Sequence, residues 1–176
     1  KVHLIRNIPN RMKIVKNDYF RDLFKLPLTT KIFLYQGGLV PGRGIELLMD
    51  TFEKRRNNEA ILVIMGDGKL AQEVKERSER SFNIYYHPAV PYSRIAHCTS
   101  SADIGFNMAQ NNCLNHQYCL PNKLFEYIQC ELPVISNDLE DCNNLIRHYQ
   151  IGVIIEEYTE LGVNKAINEF LEMDDE

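Results

Sequence analysis

Seven short apolar runs, VHLI, KIFLYQ, AILVIMG, NIYYH, DIGFN, PVIS and GVIIE, recur along this chain, most of them separated by a stretch with helical spacing. Ile45, Leu48, Met49 and Phe52 fall on one face of such a helix, and similar patterns span Ala71 to Ser78, Tyr92 to Thr99, Leu124 to Gln129, Leu145 to Tyr149 and Val163 to Leu171. Strands that are apolar nearly throughout must be covered on both faces, which is the condition of parallel strands joined by crossover helices. The expected fold is therefore α/β, a doubly wound, Rossmann-like parallel sheet. In that architecture ligands bind outside the carboxyl ends of the strands, so the loops leaving the strands are the place to look for chemistry.

At 176 residues, with 44% hydrophobic and 25% charged, the chain fits one domain over 1–176 with room for a real core. A formal charge of -4 argues against a nucleic-acid partner, because neutralising many phosphates needs clustered Lys and Arg in excess. No apolar run approaches the roughly 20 residues that span a bilayer, and the charged opening KVHLIRNIPNRMK does not read as a secretion signal. The odd count of five cysteines, without a C-x-x-C pair, suggests neither a disulfide framework nor a zinc ribbon, and fits a reducing cytoplasm. A start without methionine that reads as a strand from its second residue suggests a piece of something longer.

Three segments could hold an anion. After KIFLYQ comes Gly37-Gly38-Leu39-Val40-Pro41-Gly42-Arg43-Gly44, directly followed by a helix. Glycines let the backbone approach a ligand, a helix start favours anions and Arg43 adds a fixed cation, a set suited to a diphosphate. The spacing departs from the P-loop, since Arg43 and Gly44 stand where Lys and a magnesium-binding hydroxyl are needed, and it lacks the nicotinamide fingerprint. The second segment, Gly66-Asp67-Gly68, ends another strand on the same edge and alternatively reads as an ordinary turn. The third is Pro121-Asn122-Lys123-Leu124-Phe125-Glu126, where Pro121 suits a helix start and the amides of Asn122, Lys123 and Leu124 would face outward. Glu126, one turn in, is unsuited to phosphate but able to accept from ribose hydroxyls; a dipole-stabilised first-turn glutamate is the plainer alternative.

The only long connection, Met108 to Leu120, precedes that third segment, and a loop of such length in a compact domain is usually functional. It carries Asn115, His116 and Tyr118 as possible sugar contacts. His3, His87, His97 and His148 read as packed or surface residues, Asp103 as a backbone cap, and the KERSER run from Lys75 to Arg80 as a solvent-facing helix end.

Taken in order, these pieces resemble the donor domain of retaining glycosyltransferases with the GT-B fold, the fourth glycosyltransferase family (group 1). IRNIPN is similar to that family's interdomain segment, YQGGLVPGRG to its Gly-Arg-Leu-x-x-x-Lys-Gly loop, and ILVIMGDGKL to its Leu-x-Ile-x-Gly-x-Gly strand end. NIYYHPAVPYSRIAHCTSSADIGF follows its Val-x-Phe-x-Gly-x-Val pattern with a later Ala-Asp-Ile, and PNKLFEYIQCELPVISND surrounds the second glutamate of its Glu, seven residues, Glu motif.

The resemblance implies that this is the C-terminal half of a two-domain enzyme, here without its N-terminal acceptor domain and as such inactive alone. It implies a nucleoside diphosphate sugar as donor, with Arg43 and Lys123 stabilising the leaving diphosphate, Gly37, Gly38, Gly66 and the amides of Asn122 and Leu124 around it, Glu126 on the ribose and Val90 beside the base. No cofactor and no metal is expected, since Asp138 and Asp141 have the wrong spacing for an Asp-x-Asp site. The implied partners are the chain's own N-terminal domain and an acceptor glycan or lipid-linked glycan, in cell-surface polysaccharide or glycoconjugate synthesis, in the cytoplasm or at the inner membrane face. Three positions depart from the pattern: Gly38 replaces the loop arginine, Tyr118 the first glutamate of the motif, and Pro88 a glycine. Two other readings share the architecture, one half of a nucleotide-sugar epimerase and a noncatalytic flavodoxin-like module centred on Asp67.

Overall fold

The computed structural model describes residues 9, 11 and 13–173. Along the chain lie α1 (Tyr19–Phe24), β1 (Lys31–Gly38), α2 (Ile45–Lys54), β2 (Ala60–Asp67), α3 (Ala71–Arg80), β3 (Ile84–Pro88), α4 (Tyr92–Thr99), β4 (Ile104–Asn107), α5 (Leu114–Gln117), α6 (Asn122–Gln129), β5 (Val134–Ser136), α7 (Glu140–Tyr149), β6 (Gly152–Ile154) and α8 (Glu160–Met173). The strands form one parallel sheet in the order β3-β2-β1-β4-β5-β6. Six of the seven expected strands are present; VHLI, with all of IRNIPN except Pro9, lies outside the described residues.

The alternation of side chains along β1 divides the interior into two layers. Phe33 and Tyr35 pack with Leu48, Met49 and Phe52 of α2, Val74 of α3 and Val163 and Ile167 of α8. Ile32 and Leu34 face the opposite layer, with Phe20 of α1, Cys98 of α4, Leu124 and Tyr127 of α6, and Ile146 of α7. Both faces of the central strands are thus covered, which is why their sequences are apolar on consecutive residues rather than on alternate ones.

Helix α1 was not expected from sequence, because six residues carry too little periodicity; it exists by burying Phe20 completely. Helix α7 begins five residues before the expected Leu145, with its polar first turns anchored by buried Cys142 and Asn143. The KERSER segment is not wholly solvent-facing. Arg77 is turned inward at 8% exposure and donates to Asp50 Oδ1 at 2.6 Å and Glu53 Oε1 at 2.8 Å, tying α3 to α2.

Asp103 does cap backbone, and it does more. One carboxylate oxygen accepts from the Ile32 N–H at 2.7 Å and from Arg21 Nη2 at 2.7 Å, which clamps α1 to the start of β1. Removing it takes the acceptor from the Ile32 amide and leaves the largely buried Arg21 guanidinium with only the more distant Asp18 carboxylate, 3.7 Å away, as its charged partner. We expect Asp103→Ala to lower the unfolding free energy by about 2 kcal/mol or more, and Asp103→Asn by less, measured by urea unfolding.

What positions a site is the return of the chain between β3 and β4. The path from β1 through β2 to β3 runs to one side, then α4 carries it back so that β4 pairs with the other edge of β1. The loops leaving β1 and β4 therefore diverge, and a crevice opens at the carboxyl edge between them.

Candidate functional site

A cleft of about 390 Å³ occupies this carboxyl edge. Its walls are the end of β1 (Gln36, Gly37, Gly38), the end of β2 (Met65, Gly66, Asp67), the turn into α4 (Ala89, Val90, Ile95) and the start of α6 (Pro121, Asn122, Lys123, Glu126). Four separate segments meet here because the parallel register sets Gly37 beside Gly66 and Gly38 beside Asp67.

The approach of β1 and β2 at this point depends on the absence of a side chain at Gly66. A methyl group there would stand 1.9 Å from the Gly37 carbonyl oxygen, far inside any allowed contact. Gly37 itself has φ of 125°, a conformation that side-chain-bearing residues rarely adopt, so its peptide can turn along the cleft.

Helix α6 is docked by Tyr127. Its hydroxyl lies 3.2 Å from the Leu34 carbonyl and 3.3 Å from that of Phe106, and it accepts from the Gln36 N–H at 3.2 Å. The ring lies over Gly105, where a methyl group would come within 2.5 Å of it. Pro121 is the N-cap, and the helix start brings its first-turn amides and the positive end of its dipole to the cleft. The Leu124 amide, however, already donates to the Pro121 carbonyl at 3.0 Å, and the Leu124 side chain is core.

Lys123 reaches across the edge of the sheet so that Nζ sits 3.9 Å from the centre of the Tyr35 ring. A methyl group at Gly37 would be 3.9 Å from the same Nζ. Its withdrawal from water, with the nearby Arg43 guanidinium second, pushes the ammonium down to about 7, against a weaker opposing pull from Glu126. Among the described residues neither Arg43 nor Lys123 forms a salt bridge. The two cations act on each other electrostatically, and of the nearby carboxylates Glu126 acts on Lys123 only through space.

Glu126 is nearly buried, and desolvation raises its carboxyl above the usual range, opposed by a hydrogen bond from Gln36 and by the charge of Lys123. The Gln36 side-chain amide donates to Glu126 Oε2 at 2.5 Å. Sequence reasoning passed over Gln36, Tyr35 and Thr99. The available signal was the single uncharged polar side chain ending an otherwise apolar strand, immediately before two glycines.

Of the residues singled out from sequence, the cleft thus brings together Gly37, Gly38, Gly66, Val90, Asn122, Lys123 and Glu126. Arg43 lies beyond its lining, partly exposed and within electrostatic range of Lys123, Tyr35 and Cys119. Asn115, His116 and Tyr118 are placed in and after α5, outside the lining. His116 Nδ1 is 2.8 Å from the Gln110 carbonyl, and Tyr118, 51% exposed, interacts with Glu140 at the start of α7. The long loop is fastened to the first glycine loop by the Gln110 N–H donating to the Gly42 carbonyl at 2.9 Å.

The family model for glycosyl transferases group 1 matches residues 17–176. The chain belongs to this family. No curated protein matches the sequence. Among solved structures, the chain is similar to WaaG, a glycosyltransferase involved in lipopolysaccharide biosynthesis, with 16% identity and a TM-score of 0.69 over 87% of this chain and 41% of that one. It is similar to Anabaena Alr3699/HepE in complex with UDP and glucose, at 13% identity and TM-score 0.68 over 86% of this chain and 41% of that one. The C-terminal domain of a group 1 family protein, LpcC, from Francisella tularensis matches at 13% identity and TM-score 0.67, over 90% of this chain and 84% of that one. This group 1 chain thus spans about two fifths of the length of the first two structures, and most of the isolated C-terminal domain. At these identities the likeness shows the fold, and the family model carries the membership.

Proposed function

We propose that this chain is the donor-binding domain of a retaining glycosyltransferase, which moves a sugar from a nucleoside diphosphate sugar to an acceptor glycan or lipid-linked glycan. The observation that carries the reading is Lys123 at the start of α6, on the topological switch point, within electrostatic range of Arg43 from the loop after β1, neither of them in a salt bridge among the described residues. A diphosphate supplies the charge this arrangement lacks. As the bond to the anomeric carbon breaks, negative charge grows on the leaving diphosphate, and fixed cations with helix amides stabilise it more than they stabilise the bound donor. The chemistry then needs no metal or cofactor, and the diphosphate departs as the anion that Arg43 and Lys123 hold.

In this reading Glu126 accepts from the ribose and the backbone at Val90 borders the base. Lys123 supplies the positive charge that Gly38 leaves out of the first loop. Asn115, His116 and Tyr118 approach the sugar only if donor binding draws the long loop inward. The acceptor site belongs to an N-terminal domain of the same protein, across the cleft. Support for that division comes from the coverage of only two fifths of WaaG and HepE. Membership in the group 1 family favours a transferase over an epimerase half or a noncatalytic module. The involvement of WaaG in lipopolysaccharide biosynthesis supports a role in cell-surface glycan synthesis, and the UDP bound to HepE supports a nucleoside diphosphate sugar as donor. No helix among the described residues is long and apolar enough to cross a membrane.

Calorimetric titration with UDP, GDP, ADP and their sugars tests the reading. At least one is expected to bind, and Arg43→Ala and Glu126→Ala are each expected to weaken it by about tenfold or more, the scale of a lost charge-assisted contact. Absence of binding to the unchanged chain at millimolar concentration would overturn the assignment. Epimerisation of a donor sugar with no acceptor present would favour the epimerase instead.

A further inference from the structure

We propose that Gln36, braced by Thr99, is a positioning residue that fixes the Glu126 carboxylate as an acceptor for the hydroxyls of a ribose. The inference rests on reading the cleft as a nucleoside diphosphate site, and names the part of that site which selects the sugar of the nucleoside.

Gln36 is 3% exposed and Glu126 7%, so neither side chain has bulk water to satisfy it. Gln36 lies on the last inward-facing position of β1 before the glycine pair, and its backbone N–H is anchored to the Tyr127 hydroxyl that docks α6. Its side-chain amide spans the two helices that flank this strand. On one side Nε2 donates to Glu126 Oε2 at 2.5 Å; on the other, Oε1 accepts from the Thr99 hydroxyl of α4 at 2.7 Å. The Thr99 hydroxyl has one proton, for which the Ile95 carbonyl at 2.8 Å competes; when it is given to Gln36, the donor direction runs from Thr99 through Gln36 to the carboxylate. Each bond in such a chain strengthens the next, and the arrangement favours a carboxylate that only accepts.

The bond occupies one carboxylate oxygen, Oε2. Both residues line the cleft, which leaves the remaining acceptor capacity of the carboxylate to a ligand's hydroxyls bound there. A glutamate on the first turns of a helix ordinarily rotates among several conformers; here a neutral amide holds one of them without cancelling its charge. Lys123, the charged group that acts on Glu126, favours the ionised form through space and makes no salt bridge with it.

The test compares ribonucleoside diphosphates with their 2′,3′-dideoxy forms, for the uridine, guanosine and adenosine series, by calorimetry on the chain. The unchanged chain is expected to prefer the ribo form by about tenfold or more. Gln36→Leu should remove most of that preference by weakening the ribo form several-fold more than the dideoxy form. Thr99→Val, which preserves shape and deletes the hydroxyl that braces the amide, should reduce the preference in the same direction by a smaller factor. In a Glu126→Ala background, Gln36→Leu should have no further effect on it, because the positioned group is gone. A merely structural role for Gln36 predicts something else, equal weakening of both forms. That result, or an unchanged preference in Gln36→Leu, overturns the inference while nucleotide binding by the unchanged chain leaves the broader reading standing. Failure of the unchanged chain to bind any of the three series overturns the broader reading, and this inference with it.

Discussion

In a Gly66→Ala variant the unfolding free energy is expected to fall by more than about 3 kcal/mol and binding of nucleoside diphosphates to disappear, as read by urea unfolding and calorimetry. The added methyl group would lie 1.9 Å from the Gly37 oxygen, 3.1 Å from the Gly37 carbonyl carbon and 3.1 Å from Leu39 Cδ2. The first of these is backbone in a central strand pair, so no side-chain rotation relieves the overlap. Relief requires β1 and β2 to part where they form the floor of the cleft. Gly38→Ala is the matched control. A methyl group there meets nothing within 4 Å, and stability should change by less than about 1 kcal/mol. If Gly66→Ala folds and binds like the unchanged chain, the close approach of the two strand ends is not a requirement of the site.

The second large effect concerns pH. Lys123 has its ammonium pushed down to about 7 by burial and by Arg43, with Glu126 opposing; Tyr35 lies beneath it, and Cys119 and Cys142 stand nearby. Burial raises both thiols, Cys142 to about 12, so neither carries charge near neutrality. Above pH 7 the free site therefore loses a positive charge. A bound diphosphate restores the preference for the protonated form, so binding takes up a proton. Affinity for a nucleoside diphosphate sugar, whose phosphates do not titrate in this window, should fall with rising pH above 7 by up to about tenfold per unit.

The stability of the free chain should move in the opposite direction. An unfolded lysine titrates near the ordinary 10.5, so between about 7 and 10.5 the unfolded chain holds a proton that the folded one lacks. The contribution of Lys123 to stability accordingly rises with pH across that window. Lys123→Met should abolish the pH slope of affinity and the proton uptake seen when titrations are repeated in buffers of different ionisation enthalpy. A slope that persists in Lys123→Met would assign the titration to another group.

Gly66 could be marked from sequence as a glycine closing a strand on the ligand edge, but its role is to admit the Gly37 peptide, a fact that depends on the β1–β2 register. Lys123 could be noted beside a helix-starting proline, whereas its ring partner Tyr35 lies 88 positions away in the chain and on the opposite layer of the core. Gln36 was passed over because a polar residue at the end of a strand is unremarkable until α4 and α6 are known to flank it. Arg77 was misread for the converse reason: in a charged helix end nothing local distinguishes the one side chain that Asp50 and Glu53 will draw inward.

Local chemistry, summed over short windows, determined the strands that cover both faces, the order of strand and helix, and the glycine loops and helix starts where an anion is welcome. Those properties are legible because periodicity, backbone freedom and unpaired amides act within one or two turns of chain. The tertiary structure alone decided which loops share a cleft, which cation lies over which ring, and which amide holds the Glu126 carboxylate. These depend on strand order and register, and burial then determines their electrostatics, since removing water is what makes Lys123 titrate near neutrality and gives a single hydrogen bond from Gln36 its consequence.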